Sequence, residues 1–197
     1  MKTLIVPFIV SILVSAVTTY GVVHLTNKKT DNDTLTDYYE TQVSTNISAH
    51  GLRKKLSEAN KTFYLVDVRS REEYLEGHIA WAISIPAYTN RENTQNIRNE
   101  EILKAFQELD GSKDIITYCY SAYCMTSRKI GKYLAENWVY AKHLTVWWNE
   151  WRYGWDLWNY PHEKDETEKY IASGEELWTL TGSTIEWACG TSSDFGC

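Results

Sequence analysis

The chain has 197 residues, 43% of them hydrophobic, which suits one packed domain with extensions. Its net charge of -6 is concentrated near the end, because residues 163–197 hold eight acidic residues and two lysines. The remainder is close to balanced and carries no basic stripe, so the composition argues against a nucleic-acid partner.

Residues 1–25 are predicted to form a separate N-terminal hydrophobic helix. The stretch from Leu4 to Val23 contains no charged residue. About twenty residues at a rise of ~1.5 Å each can cross a hydrocarbon core of roughly 30 Å. An uncleaved transmembrane anchor is one interpretation. The others are a cleaved signal peptide, with small residues at Val14-Ser15-Ala16, and a buried soluble helix.

The first two interpretations both predict export of the rest of the chain. An anchor leaves the domain membrane-bound on the periplasmic or extracellular side, and a signal peptide leaves it secreted or periplasmic after cleavage. Residues 26–45 are rich in Thr, Asp and Asn without a sustained period, which predicts a polar linker. The folded domain is expected over residues 46–162, followed by an acidic C-terminal extension over 163–197.

Short strands and helices alternate through the predicted domain. Ser48 is a candidate N-cap for a helix with Leu52 and Leu56 on one face. Strands are predicted over 63–68, 82–85, 115–118 and 143–146, and helices over 48–56, 71–75, 101–109 and 125–137. This alternation predicts an α/β fold with a parallel sheet covered on both faces. Sites in such sheets lie outside the carboxyl ends of the strands, where Asp67, Arg69, Pro86 and Cys119 fall.

Cys119 is the leading candidate for a reactive residue. It ends the apolar run Ile115 to Tyr118 and precedes a loop of small and polar residues that leads into a helix. Backbone N–H groups and the helix dipole stabilise a thiolate in such a position, which predicts a lowered pKa for the Cys119 thiol. The alternative is a buried structural cysteine that ends a core strand.

Five segments in this order and spacing resemble the rhodanese family of sulfurtransferase domains. They are a strand ending in Asp67-Val68-Arg69, Glu73-Tyr74 before Gly77-His78-Ile79, a strand before Pro86, the strand–Cys119–loop–helix unit, and Trp148-Asn149-Glu150-Trp151. The resemblance covers residues 46–161 and implies a three-layer α/β/α fold with a central parallel five-stranded sheet. The family's usual Pro-Gly is replaced by Ala80-Trp81, and its glycine pair before the closing tryptophan by Val146-Trp147.

The resemblance implies a sulfur relay without a cofactor. Cys119 would take a sulfane sulfur as a persulfide, and a thiol or cyanide acceptor would remove it. The implied active-site loop comprises Tyr120, Ser121, Ala122, Tyr123, Cys124 and Met125, with Asp67, Arg69 and Arg128 as supporting residues. Two alternatives are a catalytically silent interaction module and a thiol redox protein that uses Cys119 and Cys124.

The charge of the loop bears on the donor. The loop carries no Lys or Arg, and the nearest cation after Cys119 is Arg128, nine residues later. Many thiosulfate-using members of the family carry a cation in this loop, so we expect small persulfides or polysulfide to be preferred. A phosphatase of the same fold needs an arginine six residues after the cysteine, and Met125 at that position excludes it.

The other cysteines leave several roles open. Cys124 is a candidate to resolve a persulfide, to form a disulfide with Cys119, or simply to fill a small position at a helix start. Cys189 and Cys197 are candidates for a second disulfide in an oxidising compartment. The sequence contains no HxxxH, CxxC or carboxylate cluster, so no metal site is predicted.

Three further expectations concern the surroundings of the loop. Arg69 is expected to pair with Asp67 or Glu73, or else to provide a field that favours anions. His78 is expected to be a buried hydrogen-bonding residue. A set of tryptophans at spacings of four, four and three predicts an aromatic stripe that either packs in the core or docks a protein partner or the membrane interface: Trp147, Trp151, Trp155 and Trp158.

Overall fold

The computed structural model describes residues 11–12, 14–22, 29–58, 61–160 and 167–175, which belong to two compact units, 1–42 and 43–197. Residues 11–12 and 14–22 are helical. Within the described ranges, no helix has both the length and the apolar character that a membrane crossing requires. The N-terminal anchor, its orientation and the export of the domain therefore stay predictions.

Part of the predicted polar linker is helical. Helix α1 spans Asp31–Thr45 and has no buried residue. Its start is fixed locally, because the Asp33 carboxylate accepts from the Thr30 backbone N–H at 2.8 Å and the Thr30 hydroxyl accepts from the Asp33 N–H at 3.1 Å. An amphipathic period cannot predict this helix, because the helix has no apolar face.

The second unit is built on a five-stranded sheet whose strands are β1 (Asn46–Ile47), β2 (Phe63–Asp67), β4 (Ala82–Ser84), β5 (Asp114–Tyr118) and β6 (Lys142–Leu144). The strand order is β1-β6-β5-β2-β4, and every neighbouring pair is parallel. Leu65 lies between Ile116 and Ala82 in the register, and all three are fully buried. Continuous apolar runs of this kind are typical of parallel strands covered on both faces. The predicted α/β fold with a central parallel five-stranded sheet is confirmed.

Helices connect the parallel strands, and two of them begin at a serine whose side chain caps the helix N-terminus. The helices are α2 (Ala49–Ser57), α3 (Arg71–Glu76), α4 (Asn99–Gln107), α5 (Thr126–Glu136), α6 (Trp148–Tyr153) and α7 (Trp155–Trp158). The Ser48 hydroxyl accepts from the Gly51 N–H at 2.9 Å, as its sequence position predicts. Ser70 and Glu73 form a capping box at the start of α3. This box fixes the turn that follows Asp67 at the end of β2.

A second, two-stranded sheet pairs β3 (His78–Ile79) with β7 (Ile171–Ala172) in antiparallel register. Residues of β7 and the preceding 3-10 helix Thr167–Tyr170 fall inside the range predicted as an acidic extension. Tyr170 is fully buried, and its carbonyl accepts from the Ala80 N–H at 2.9 Å. Residues of the extension thus pack against the sheet-bearing domain, while Cys189 and Cys197 lie outside the described residues.

The tryptophan-rich segment packs inward. Trp147, Trp151 and Trp155 are buried, and Trp158 packs against the same core. Two short helices replace the single helix implied by the spacing, because α6 ends at Tyr153 and Gly154 separates it from α7. The core-packing interpretation of these indole rings is confirmed, and rings of this size dominate the energetics of a core. A protein partner at this segment stays a prediction.

Candidate active site

Cys119 follows β5 directly, at the carboxyl end of the sheet. In the register, Tyr118 lies opposite Asp67, so the ends of β5 and β2 meet here. The Cys119 side chain is fully buried, and its carbonyl accepts from the Trp148 N–H at 3.1 Å. The strand end is therefore tied to the start of helix α6.

The loop after Cys119 is held from α6. The Tyr120 carbonyl accepts from the Asn149 N–H at 2.7 Å. The Glu150 carboxylate accepts from the Ala122 N–H at 3.1 and 3.2 Å and from the Trp147 N–H at 3.1 Å. One carboxylate thereby joins the loop to the first turn of α6 and takes up the backbone N–H of Ala122.

Arg128 holds the same loop from α5. Its Nη1 atom donates to the Ala122 carbonyl at 2.8 Å and to the Cys124 carbonyl at 3.1 Å, and the guanidinium lies 5.1 Å from the centre of the Trp147 ring. Arg128 is thus a supporting residue, as predicted, but it binds loop carbonyls. Its Nη1 donors therefore bind the backbone of the loop.

Cys119 and Cys124 form a dithiol whose Sγ atoms are 3.5 Å apart. The pKa of Cys124 falls to about 5, because the Cys119 thiol donates to its sulfur, outweighing partial burial, and because the Thr126 hydroxyl and N–H and the charge of Arg128 add to the effect. The pKa of Cys119 is raised, because its thiol is hydrogen-bonded to Cys124 and is buried. The direction for Cys119 is opposite to the lowered pKa expected from the sequence: the two sulfurs share a hydrogen bond, and burial of Cys119 favours the negative charge on the more exposed Cys124.

Arg69 has a structural role, which was one of the two roles expected from the sequence. Its guanidinium donates to the Asp67 carboxylate at 2.6 to 3.1 Å and to the Gly77 carbonyl at 2.6 Å. It also stacks over Trp148 at 4.4 Å. Both members of the ion pair are buried, so Arg69 joins β2 to the turn before β3 rather than facing a donor.

A second hydrogen-bonded group lies beside the loop. The Tyr120 hydroxyl donates to the Glu73 carboxylate, and burial together with that carboxylate raises the pKa of Tyr120. His78 is buried as expected, with Nδ1 2.8 Å from the Tyr74 carbonyl and its ring stacked on Tyr74 at 3.8 Å. The Tyr120–Glu73 hydrogen bond ties the loop to helix α3, and the two sulfurs are the nucleophilic groups of the loop.

The remaining loop residues are less enclosed. Tyr123 is 91% exposed and Met125 is 55% exposed, so they flank Cys124 on the solvent side. The Ser121 carbonyl accepts from the Cys124 N–H at 2.9 Å, which closes a tight turn. Within the described residues no group of three or more His, Cys, Asp or Glu side chains could hold a metal ion.

Comparison with known proteins decides the family. Residues 48–158 match the family model described as the Rhodanese-like domain, which is more than half of the chain. The chain belongs to the rhodanese-like family.

The chain is similar to two curated proteins and to one solved structure. The chain is 34% identical over 90 residues to "Putative sulfurtransferase YtwF" of Bacillus subtilis, covering 46% of the chain and 73% of that protein. It is 43% identical over 61 residues to the HTH-type transcriptional regulator Rv0324 of Mycobacterium tuberculosis, covering 31% of the chain but only 22% of that protein. The BH2092 protein of Bacillus halodurans is 26% identical with a TM-score of 0.50, covering 62% of the chain and 81% of that protein.

Sequence reasoning missed three residues that shape the site of this rhodanese-like domain. Glu150, Glu73 and Thr126 hold the loop or the Cys124 sulfur. A readable signal existed for the two glutamates, since each stands three residues after an N-cap residue, where a carboxylate accepts from the N-cap backbone N–H. No such signal marks Thr126, whose role depends on where the Cys124 side chain turns.

We predict that alkylation of the reduced rhodanese-like domain occurs first at Cys124. Only the thiolate reacts, so the rate with iodoacetamide should rise through an inflection near about 5 and then stay level through neutral pH. Fragmentation of the tryptic peptide 114–128, which contains Cys119 and Cys124 and no other cysteine, identifies the modified residue. Cys119→Ala removes the hydrogen-bond donor and should move the inflection upward. Preferential reaction of Cys119, or an inflection near the ordinary value of about 8.5, would contradict this assignment.

Proposed function

We propose that this chain is a sulfurtransferase that carries sulfur on Cys119. The Cys119 sulfur takes a sulfane sulfur from a small donor and holds it as a persulfide, which a thiol or cyanide acceptor then removes. The observation that carries the proposal is the 3.5 Å contact between the Cys119 and Cys124 sulfurs at the carboxyl end of the central strand. A nucleophile within reach of a base is the arrangement that covalent catalysis needs.

In the proposed first step Cys124 is the base. Its thiolate accepts the proton of the Cys119 thiol, and the Cys119 sulfur attacks the outer sulfur of a donor R–S–SH. The S–S bond of the donor breaks, its electron pair leaves on R–S⁻, and the proton on Cys124 passes to that sulfur to give R–SH. Cys119 then carries the persulfide, and Cys124 is again a thiolate.

The charges around the loop favour one class of sulfur donor. Arg69, Arg91 and Arg128 are each bound to a carboxylate or to loop carbonyls. The groups next to the loop that carry negative charge include the Cys124 thiolate and the Glu150 carboxylate. One well-placed cation typically contributes ~1–3 kcal/mol to binding an anion, so a site whose nearby cations are already bonded to protein acceptors should bind a dianion weakly. We therefore propose small persulfides or polysulfide, rather than thiosulfate, as donors.

A pair of probe donors tests the activity and the donor class together. Benzenethiosulfonate carries one negative charge and thiosulfate two, and both give thiocyanate when their sulfur is passed to cyanide. We predict turnover of benzenethiosulfonate, with kcat/KM exceeding that for thiosulfate by about tenfold to a hundredfold. The initial rate of thiocyanate formation is the measurement.

The two ways in which this prediction can fail have different meanings. Background rates with both donors would contradict the sulfurtransferase proposal and leave a catalytically silent module. Equal kcat/KM for the two donors would keep the sulfurtransferase but overturn the donor class, since a cation would then have to face the loop.

A further inference from the structure

We propose that Cys124 resolves the Cys119 persulfide, releasing hydrosulfide and closing a Cys119–Cys124 disulfide that an external dithiol reductant reopens. This inference rests on the proposed function and adds to it the fate of the sulfur. It makes the site a sulfane sulfur reductase when no thiol or cyanide takes the sulfur first.

The separation of the two sulfurs favours attack at one atom of the persulfide. In thiol–disulfide exchange the attacking, central and leaving sulfurs lie in line. At 3.5 Å the Cys124 Sγ is in contact with the Cys119 Sγ itself. Attack on the outer sulfur would instead need the two Sγ atoms about two S–S bond lengths, or ~4 Å, apart or more. The contact therefore favours attack of the Cys124 sulfur on the inner sulfur of the persulfide, with the outer sulfur as leaving group.

The loop presents Cys124 for this step. Thr126 helps to stabilise the negative charge on Cys124, and the Cys124 carbonyl is fixed by Arg128. Closing a disulfide brings the two sulfurs nearer by ~1.5 Å, to a bond of ~2.05 Å. That movement falls in a turn flanked by the exposed side chains of Tyr123 and Met125, so it displaces little packed structure.

The ionisation of the pair also suits the step. The sulfur with the lowered pKa, Cys124, is partly exposed, whereas Cys119 is fully buried. A thiolate is the attacking species in disulfide exchange, and Thr126 and the charge of Arg128 still lower the pKa of Cys124 once the Cys119 thiol has become a persulfide.

The chemistry balances with one co-reactant. The Cys124 thiolate attacks the Cys119 Sγ, the bond from that Sγ to the outer sulfur breaks, and the electron pair leaves as HS⁻ with the persulfide hydrogen. The sulfane sulfur is reduced by two electrons, and the two cysteines are oxidised to the disulfide. An external dithiol then reduces the disulfide and is itself oxidised, so each cycle converts one sulfane sulfur and one dithiol to hydrosulfide and a disulfide.

A single turnover without an acceptor tests the step. The full-length reduced protein is mixed anaerobically with one equivalent of benzenethiosulfonate, and hydrosulfide is trapped and counted. Trypsin then releases peptide 114–128 with Cys119 and Cys124, separate from peptide 170–197, which holds Cys189 and Cys197. The wild type should release about one hydrosulfide per chain, and its peptide 114–128 should lack two hydrogens.

Substitution of Cys124 supplies the comparison. Cys124→Ser, with Cys124→Ala as a second variant, should keep the added sulfur on peptide 114–128 and release hydrosulfide on the order of a hundredfold more slowly, because the intramolecular nucleophile is lost. Unfolding curves of both variants verify that they are folded.

The outcomes separate the two proposals. A stable persulfide in the wild type, or equal hydrosulfide release from wild type and Cys124→Ser, overturns the resolving role and leaves the sulfurtransferase standing. No sulfur uptake by the wild type or by either Cys124 variant overturns the proposed function and this inference with it.

Discussion

Cys119→Ser should reduce kcat/KM for thiocyanate formation from benzenethiosulfonate by at least about a thousandfold. A serine hydroxyl at this position can neither ionise near neutral pH nor form a persulfide, so the covalent intermediate is lost. The substitution replaces one small buried side chain by another of similar shape at the end of β5. The fold should survive it, and the loss should therefore lie in catalysis rather than in stability.

Two comparisons make the Cys119 result specific. Lys132→Ala changes an exposed residue that pairs with Glu136 on the surface of α5, and it should leave the rate unchanged. Cys124→Ser removes the proposed base and should lower the rate by on the order of tenfold while leaving turnover measurable. If Cys119→Ser retained activity and Cys124→Ser abolished it, the sulfur carrier would be Cys124.

Glu150→Ala should destabilise the domain by about 1–3 kcal/mol and lower turnover as well. The Glu150 carboxylate is an acceptor for the backbone N–H groups of Ala122 and Trp147, at 3.1 to 3.2 Å. Truncation removes the hydrogen-bond acceptor of both groups and releases the loop that carries Cys124 from α6. Denaturant unfolding measures the stability, and thiocyanate formation measures the activity.

A matched pair of variants distinguishes this clamp from a general loss of surface charge. Glu150→Gln keeps an acceptor oxygen and should retain much of the stability. Glu136→Ala removes a carboxylate that pairs with Lys132 at 3.1 Å on an exposed helix face, and it should change stability by less than about 0.5 kcal/mol. If Glu150→Ala behaved like Glu136→Ala, the carboxylate would not hold the loop.

The main sheet could be predicted because its strands carry their own signal. The apolar runs around Leu65 and Ile116 are buried on both faces, and such runs stand out against polar flanks. β1, β3 and β7 have two residues each, too few for any period to show. The pairing of β3 with β7 joins residues more than ninety positions apart, which no local pattern encodes.

The site was predictable in position but not in its ionisation. The predicted end of strand β5 gave the position of Cys119, and the resemblance to the family implied the active-site loop. Which sulfur carries the charge depends on the 3.5 Å contact and on the Thr126 hydrogen bonds to Cys124, both set by side-chain conformations. Arg128 is the nearest cation after Cys119 in the sequence, and it binds the loop carbonyls. Its partners are likewise set by its side-chain conformation, which its position in the sequence does not determine.

The most direct test of the sulfur carrier is the mass of tryptic peptide 114–128 from Cys124→Ser protein after exposure to benzenethiosulfonate without an acceptor. The peptide should gain one sulfur, located on Cys119 by fragmentation, and cyanide should remove it with formation of one thiocyanate per sulfur lost. An unmodified peptide, or a sulfur that cyanide does not remove, would contradict the proposal that Cys119 carries transferable sulfur.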